Sequence, residues 1–183
     1  MKIAITGHSK GIGKSLYNRF ISKGHEVIGF SRSNGYDINT VDGFNKVFEE
    51  GMECDVFINN AYSGPAQLNL FCKFYSVWMR KKNKTIVNIS SMAKYPTVSG
   101  NLSGYSAHKA ALNHQHNMVM ADANRKCKII TINPGYVETN MTPKHAPKEL
   151  ILPVEECTDM IMWTLESPKH IEISELSFWQ QRT

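Results

Sequence analysis

Near its start the chain carries the sequence IAITGHSKGIG at residues 3–13. Its first four residues predict a strand, and the amphipathic stretch that begins at Ile12 predicts a helix. Gly7 permits a tight turn between them, and Gly11 and Gly13 lack the Cβ that would keep an anion away from the backbone. A glycine turn placed between a strand and a helix predicts a pyrophosphate site at the helix N-terminus, where N–H groups are free. The alternative is a glycine-rich turn that holds no ligand.

The rest of the chain alternates short apolar runs with longer amphipathic ones. We predict strands at 3–6, 27–31, 55–59, 85–90, 128–133 and 170–178, with a stub of a further strand at 36–38. We predict helices at 12–23, 41–50, 68–81, 103–125 and 153–166. This alternation implies parallel βαβ units, and right-handed crossovers then place helices on both faces of a doubly wound α/β sheet. Such sheets bind ligands at the carboxyl ends of their strands, where the strand order reverses.

Composition places few further limits on the chain. Its 183 residues are 20% charged and 42% hydrophobic, which suits one domain, 1–183, with no run of membrane-spanning length. The start shows no signal peptide, so we expect a cytoplasmic protein. The four cysteines form no CxxC pair, so we expect neither disulfides nor a metal site. The net charge of +5 is spread out, and we therefore expect no nucleic-acid and no membrane partner.

The second predicted strand runs into GFSRS at residues 29–33, which contains no acidic residue. An acidic side chain near this point normally holds the 2′-hydroxyl of an NAD ribose. Arg32 can instead grip a 2′-phosphate bidentately, and Lys10 in the glycine turn can reach the same phosphate. The alternative is that both are ordinary surface cations. We predict NADP(H) as the cofactor, and tighter binding of NAD(H) would contradict this.

Further motifs follow the glycine turn in a fixed order. They are Asn59-Asn60-Ala61, Ile86-Val87-Asn88-Ile89-Ser90-Ser91, Tyr105-Ser106-Ala107-His108-Lys109 and Asn133-Pro134-Gly135-Tyr136-Val137-Glu138-Thr139. With the glycine turn, this order and spacing resembles the short-chain dehydrogenase/reductase family, from residue 1 to about 140 and more loosely beyond. The resemblance implies a Rossmann fold with strand order 3-2-1-4-5-6-7, its third strand shortened here, and an NADP(H)-dependent oxidoreductase.

The resemblance implies a catalytic tyrosine and lysine at Tyr105 and Lys109, which match the motif YxxxK. Their spacing of four residues places both on one face of a helix. The Lys109 ammonium would then favour the phenolate and lower a tyrosine pKa that is ordinarily about 10. Tyr105 would protonate the substrate oxygen as hydride arrives, and Lys109 would also hold the nicotinamide ribose hydroxyls.

The resemblance adds a serine and an asparagine to the catalytic set. Ser91 matches the serine that holds the substrate oxygen, and we prefer it to Ser90 because successive strand residues point to opposite sides. Asn69 resembles the helix asparagine that holds a relay water behind the lysine. The alternative for Asn69 is a helix-start or surface polar residue.

The same resemblance assigns the cofactor contacts along the chain. They are Gly7, Ser9, Lys10, Gly11, Ile12 and Gly13 at the phosphates, Ser31 and Arg32 at the 2′-phosphate, Asp37 and Ile38 at the adenine, Asn60 and Ala61 along the adenosine and ribose, Tyr105 and Lys109 at the nicotinamide ribose, and Pro134, Gly135, Val137 and Thr139 at the carboxamide.

The chain is markedly shorter than usual family members. Residues 33–36 stand where a whole helix is normally found, and residues 61–68 replace a longer excursion. Tyr62 replaces the glycine that normally follows the Asn-Ala pair. Residues 140–152 replace the substrate lid. Our hypothesis is a short or absent lid, which would leave an open site that excludes water poorly and accepts a bulky or carrier-bound substrate.

We therefore expect reduction of a ketone, aldehyde or 3-oxoacyl thioester to an alcohol. The runner-up is a non-catalytic NADP(H)-binding regulator or sensor with the same fold, and a basic nucleic-acid binder comes third. We also expect a homodimer or homotetramer through helices 68–81 and 103–125. Their apolar residues occur on more than one face and include Phe71, Phe74, Trp78, Met118 and Met120. Phe178 and Trp179 provide a possible second contact.

Overall fold

The structure is a computed structural model that describes residues 1–95, 104–168 and 170–181. Its strands are β1 (Lys2–Thr6), β2 (Glu26–Phe30), β3 (Val56–Asn59), β4 (Thr85–Ile89), β5 (Lys128–Pro134), β6 (Tyr136–Val137), β7 (Ile151–Leu152) and β8 (Glu175–Phe178). Its helices are α1 (Gly11–Ser22), α2 (Val41–Gly51), α3 (Ala66–Trp78), α4 (Gly104–Met120) and α5 (Val154–Leu165). Six strands pair in parallel in the order β2-β1-β3-β4-β5-β8, and β6 pairs with β7 separately.

Alternate residues of the central strands are buried against different helices. Ala4 and Phe57 pack with α2, α3 and α4, whereas Ile5 and Ile58 pack with α1 and α5. Helices on both faces confirm the predicted doubly wound sheet. The strand order reverses beside β1, which pairs with β2 on one side and β3 on the other. The carboxyl ends of all these strands lie at one edge, and the predicted site residues follow them there.

The predicted strand at 36–38 is wrong. A 3₁₀ turn at Arg32–Asn34 follows β2 directly, and no strand forms at 36–38. Tyr36 instead packs edge-on against Phe30, with ring centroids 4.9 Å apart, and Ile38 enters the core. The turn occupies the short connection, so the chain reaches α2 without adding a strand. β2 is therefore an edge strand of the sheet. The observed strand order matches the predicted order 3-2-1-4-5-6-7 once the predicted strand 3, at residues 36–38, is removed.

Aromatic side chains fasten α3 to the sheet. The rings of Phe74 and Phe57 stack at 3.7 Å with an interplanar angle of 10°. Phe48 and Trp78 meet the Phe74 ring edge-on at 5.3 and 5.2 Å. Phe74, Phe57 and Trp78 are completely buried. This packing fixes the rotation of α3, and therefore decides which α3 side chains reach the carboxyl edge.

The same burial changes the expected subunit contacts. Phe71, Phe74 and Trp78 have no exposed surface, so assigning them to a subunit contact is wrong. Met120 packs partly against the core, whereas Met118 is 60% exposed. The outward face of α3 is consequently more polar than expected. No helix in the described residues is both long and apolar enough to span a membrane.

Candidate functional site

The glycine turn is closed by contacts that leave no room for side chains. Gly7 has a φ of +73°, and its N–H donates to the carbonyl oxygen of Phe30 at 2.7 Å. A Cβ at Gly13 would collide with the carbonyl oxygen of Gly7. A Cβ at Gly11 would lie 3.0 Å from the Cγ2 of Thr139. The ends of β1 and β2, the start of α1 and the loop after β6 therefore converge around this turn.

The N-terminus of α1 fits an anionic group. In the described part of the chain, no side chain caps this helix and no acidic residue lies in its first turn. The adjoining cleft of about 340 Å³ is lined in part by Lys10, Lys14 and Thr139, and also by Glu138 and Glu155. Free N–H groups, the helix dipole and two lysines together suit the pyrophosphate of a dinucleotide.

The segment after β3 is held alongside the glycine turn. Thr6 Oγ1 accepts hydrogen bonds from the backbone N–H groups of Asn60 and Ala61, each at 3.0 Å. The Asn60 side chain donates to the carbonyl oxygen of Thr6 at 2.9 Å. Farther along, the Asn39 amide donates to the hydroxyl of Ser63. This last bond, which the sequence did not suggest, joins the loop before α2 to the segment after β3.

At the end of β2, Arg32 is exposed and Ser31 is buried. The Ser31 hydroxyl donates to Asn34 Oδ1 at 2.9 Å, so it is engaged within the 3₁₀ turn. The Asp37 carboxylate accepts from the N–H of Asn39 at 3.0 Å. Ser31 and Arg32 are the two residues of this segment that were predicted to contact a 2′-phosphate. Of the two, Arg32 is the one whose side chain is exposed to solvent.

The two serines after β4 face opposite ways. Ser90 is 3% exposed, and its hydroxyl accepts from Asn113 Nδ2 at 2.6 Å. The Ser91 hydroxyl accepts from the N–H of Ala93 at 3.1 Å, and it lies close enough to the Tyr105 phenol to oppose the rise of the phenol pKa. The structure therefore brings Ser91, and not Ser90, to Tyr105.

Lys109 lies one turn after Tyr105 on α4 and is 2% exposed. Its Nζ is 5.5 Å from the centroid of the Tyr105 ring. It donates to the Oε1 of Gln67 and to the carbonyl oxygen of Ile89, both at 2.8 Å. The Gln67 amide, which the sequence analysis did not select, therefore holds the lysine side chain in place.

Gln67 occupies the place expected for Asn69. Its Nε2 donates to the carbonyl oxygens of Asn59 at 2.8 Å and Ile89 at 2.9 Å. Asn69 is exposed, so its assignment behind the lysine is wrong. Residues two apart on a helix point about 200° apart, and only one can face the sheet. The buried stripe of α3, which reads Gln67, Leu70, Phe71, Phe74 and Trp78, was the signal that could have identified the glutamine.

Burial shifts the pKa values of Tyr105 and Lys109. It lowers the pKa of Lys109 from 10.5 to about 7. It raises the pKa of Tyr105, against the opposing hydrogen bond from Ser91 and with a further contribution from Tyr62. The expected lowering of the tyrosine pKa is therefore wrong for the cofactor-free chain. A lysine that is only partly protonated near neutral pH offers little positive charge to a phenolate.

The lysine pKa gives a testable pH dependence of stability. The unfolded chain binds a proton at Lys109 up to about pH 10.5, whereas the folded chain releases it near pH 7. Stability must therefore rise with pH between these values, by about 1 kcal/mol per pH unit for one such group. We expect Lys109→Met to remove this rise when urea unfolding is measured at pH 7.5, 8.5 and 9.5. Lys73→Met, at an exposed position of α3, is the control. An unchanged slope in Lys109→Met would contradict the assignment.

The loop after β5 is anchored to the last strand. Pro134 is buried, and the N–H of Gly135 donates to the carbonyl oxygen of Phe178 at 2.8 Å. Val137 is buried within β6. Thr139 reaches the glycine turn, as described above. Of the predicted carboxamide residues, Gly135 thus has its backbone donor engaged by β8, and Thr139 lies nearest the phosphate end.

Comparison with known proteins finds similarity to short-chain dehydrogenases in sequence and in fold. A family model described as short chain dehydrogenase matches residues 63–150. A 3-oxoacyl-[acyl-carrier-protein] reductase FabG from Buchnera aphidicola is 25% identical, over 76% of this chain and 75% of the relative. A Burkholderia cenocepacia short chain dehydrogenase in complex with NADP has a TM-score of 0.81 and 20% identity, over 96% of this chain and 86% of the other.

A second solved structure has the same fold. The 3-alpha-hydroxysteroid dehydrogenase from Pseudomonas sp. B-0831, complexed with NADH, has a TM-score of 0.77 and 20% identity. The match covers 97% of this chain and 94% of the other. At this identity the likeness shows the fold.

Proposed function

We propose that this chain is a member of the short-chain dehydrogenase/reductase family and that it reduces a carbonyl group to an alcohol with NADP(H). The observation that carries the proposal is the meeting of Ser91, Tyr105 and Lys109 at the carboxyl edge of the sheet. The glycine turn lies at the same edge. One dinucleotide can therefore bind its phosphates on α1 and present its other end to the tyrosine.

In the proposed reaction the bound cofactor supplies the hydride that the carbonyl carbon receives. The Ser91 hydroxyl, which lies beside the Tyr105 phenol, holds the carbonyl oxygen there. Tyr105 donates its proton to that oxygen, so the carbonyl becomes an alcohol while the cofactor is oxidised. Lys109 lies on the far side of the tyrosine ring, where it can return a proton to the phenolate and hold the ribose hydroxyls. Gln67 fixes the lysine in that place.

The substrate classes that we propose are ketones, aldehydes and 3-oxoacyl thioesters. The FabG relatives support the last class, including a carrier-bound form, by name. Between Thr139 and Pro153 the chain forms β7 and a single 3₁₀ turn at Lys148–Leu150. So short a segment supports our hypothesis of an open substrate side.

The test is to follow NADPH and NADH absorbance with a panel of these three carbonyl classes. We expect cofactor-dependent conversion of at least one class into its alcohol. Binding of both cofactors with no turnover on any member of the panel would contradict the reductase.

That negative result would favour the second candidate, a dinucleotide-binding regulator without turnover. One observation favours this candidate. Lys109 is 2% exposed, so in the cofactor-free chain its amine is not open to a ribose. A regulator predicts that the cofactor binds without contacting the lysine. Lys109→Met would then leave the dissociation constant unchanged.

Arg32 is the residue that we propose for the choice of NADP(H) over NAD(H). A charge-assisted pair with a 2′-phosphate contributes about 1.5–3 kcal/mol, so Arg32→Ala should weaken NADPH binding by roughly 10- to 100-fold. NADH binding should change little. Calorimetric titration of both cofactors gives the ratio of dissociation constants. Arg80→Ala, an exposed arginine after α3 at the opposite edge of the sheet, is the control. Equal effects on NADPH and NADH would contradict the role.

The assembly and the location of the protein stay predictions. For the predicted homodimer or homotetramer through helices 68–81 and 103–125, Met118 is an exposed large apolar side chain that could take part in the contact. Light scattering of the purified chain measures its assembly state.

A further inference from the structure

Tyr62 lies on the path between the two ends of the proposed cofactor site. It follows Asn60 and Ala61, whose backbone N–H groups are held by Thr6 beside the glycine turn. Its ring meets the Tyr105 ring edge-on, with centroids 4.7 Å apart and planes at 74°. The segment after β3 therefore runs from the glycine turn to Tyr105 and places the Tyr62 ring against the Tyr105 ring.

The same ring covers the lysine. Lys109 Nζ has two of its N–H groups bonded to Gln67 and to the carbonyl oxygen of Ile89. The centroid of the Tyr62 ring lies 5.5 Å from Nζ, at the same distance as the Tyr105 ring. Between these rings the amine is 2% exposed. A ribose hydroxyl needs hydrogen-bond contact of about 3 Å with Nζ, and the buried amine does not offer this contact while both rings keep these positions.

Among the described residues, one polar contact holds the Tyr62 ring in place at its outer end. The Tyr62 hydroxyl is hydrogen-bonded to His108 Nδ1 at 3.1 Å. His108 is only partly buried, and two residues beyond Tyr62 the backbone passes through Gly64 with a φ of +54°. The ring is thus fastened by one hydrogen bond and by edge contacts, next to a glycine, rather than locked into the core.

We propose that Tyr62 is a gate residue, which covers Lys109 in the cofactor-free chain and swings away when the nicotinamide ribose binds. The inference rests on the proposed function, since it assumes that a ribose comes to Lys109. Tyr62 then determines how fast the cofactor binds. It also keeps the catalytic amine out of solvent until the cofactor arrives.

The first measurement needs no substrate and no cofactor. Lysine amines are labelled with acetic anhydride at trace level over a series of pH values, so that the pKa and the rate of the neutral amine are obtained separately, and the neutral-amine rate at Lys109 is read by mass spectrometry relative to exposed Lys73. If the open form is about a tenth of the molecules, Tyr62→Gly should raise the Lys109 rate about tenfold. His108→Ala, which removes the hydrogen bond, should raise it less, and His114→Ala, on the exposed face of the same helix, should not. Equal Lys109 rates in wild type and Tyr62→Gly would overturn the gate.

The second measurement is stopped-flow association of NADPH with wild type, Tyr62→Gly and Tyr62→Phe. Removing a closed majority form raises the apparent association rate by the same factor of about ten. Tyr62→Phe keeps the ring without its hydroxyl, and should fall between the other two. A slower or unchanged rate in Tyr62→Gly, with circular dichroism like that of wild type, would overturn the proposal. Cofactor turnover by wild type in that case would leave the proposed function standing. No binding of either dinucleotide to any variant would overturn both.

Discussion

Tyr105→Phe is expected to lower kcat by roughly 10²–10⁴-fold, because the variant loses the acid that protonates the substrate oxygen. The ring is retained, and with it the edge contact to Tyr62. The Kd for NADPH should stay within about twofold, since a group that acts in the transition state contributes little to ground-state binding. The measurement is steady-state oxidation of NADPH with the best substrate of the panel, together with calorimetric titration.

Tyr95→Phe is the matched control for this variant. It removes the same hydroxyl from an exposed tyrosine that follows the Ser91 turn. Turnover by Tyr105→Phe close to that of wild type would contradict the role of the phenol. A large increase in Kd with unchanged kcat would also contradict it, and would reassign Tyr105 to cofactor binding.

Phe74→Ala is expected to lower the free energy of unfolding by roughly 3–5 kcal/mol, as for other large aromatic truncations in a packed core. Phe74 is completely buried and lies between the rings of Phe57 and Trp78. The cavity would also free α3 to rotate, and α3 carries Gln67. Urea unfolding measures the loss, and Asn69→Ala on the exposed face of the same helix is the control. A loss below about 1 kcal/mol would mean that neighbouring side chains move into the cavity and restore most of the packing.

The parts of the site that could be predicted are those set by contiguous sequence. The glycine turn, β1 and α1 follow one another within residues 2–22. The spacing of Tyr105 and Lys109 is a property of one helix, and the opposite directions of Ser90 and Ser91 follow from the extended backbone that continues just beyond β4. Local geometry is sufficient in each of these cases, so the residues could be named before any packing was known.

The parts that could not be predicted depend on packing between distant segments. The choice of Gln67 over Asn69 is set by the rotation of α3, which the stacking of Phe74 on Phe57 fixes. The raised pKa of Tyr105 comes from burial. Burial depends on which segments of the chain pack over the site, and this cannot be predicted from a short sequence motif. The Tyr62 ring is one of those covers.

The proximity of the buried Lys109 to the proposed carbonyl site has a chemical consequence. With a pKa of about 7, half of the Lys109 side chains are neutral at that pH. For an ordinary lysine the neutral fraction is only ~0.1% or less. A neutral amine is a nucleophile towards aldehydes, with which it condenses to an imine and water. If the proposed reduction of carbonyls is correct, the protein carries an amine that reactive carbonyl substrates can trap. In the resting chain, the rings of Tyr62 and Tyr105 shield Lys109 from such adducts.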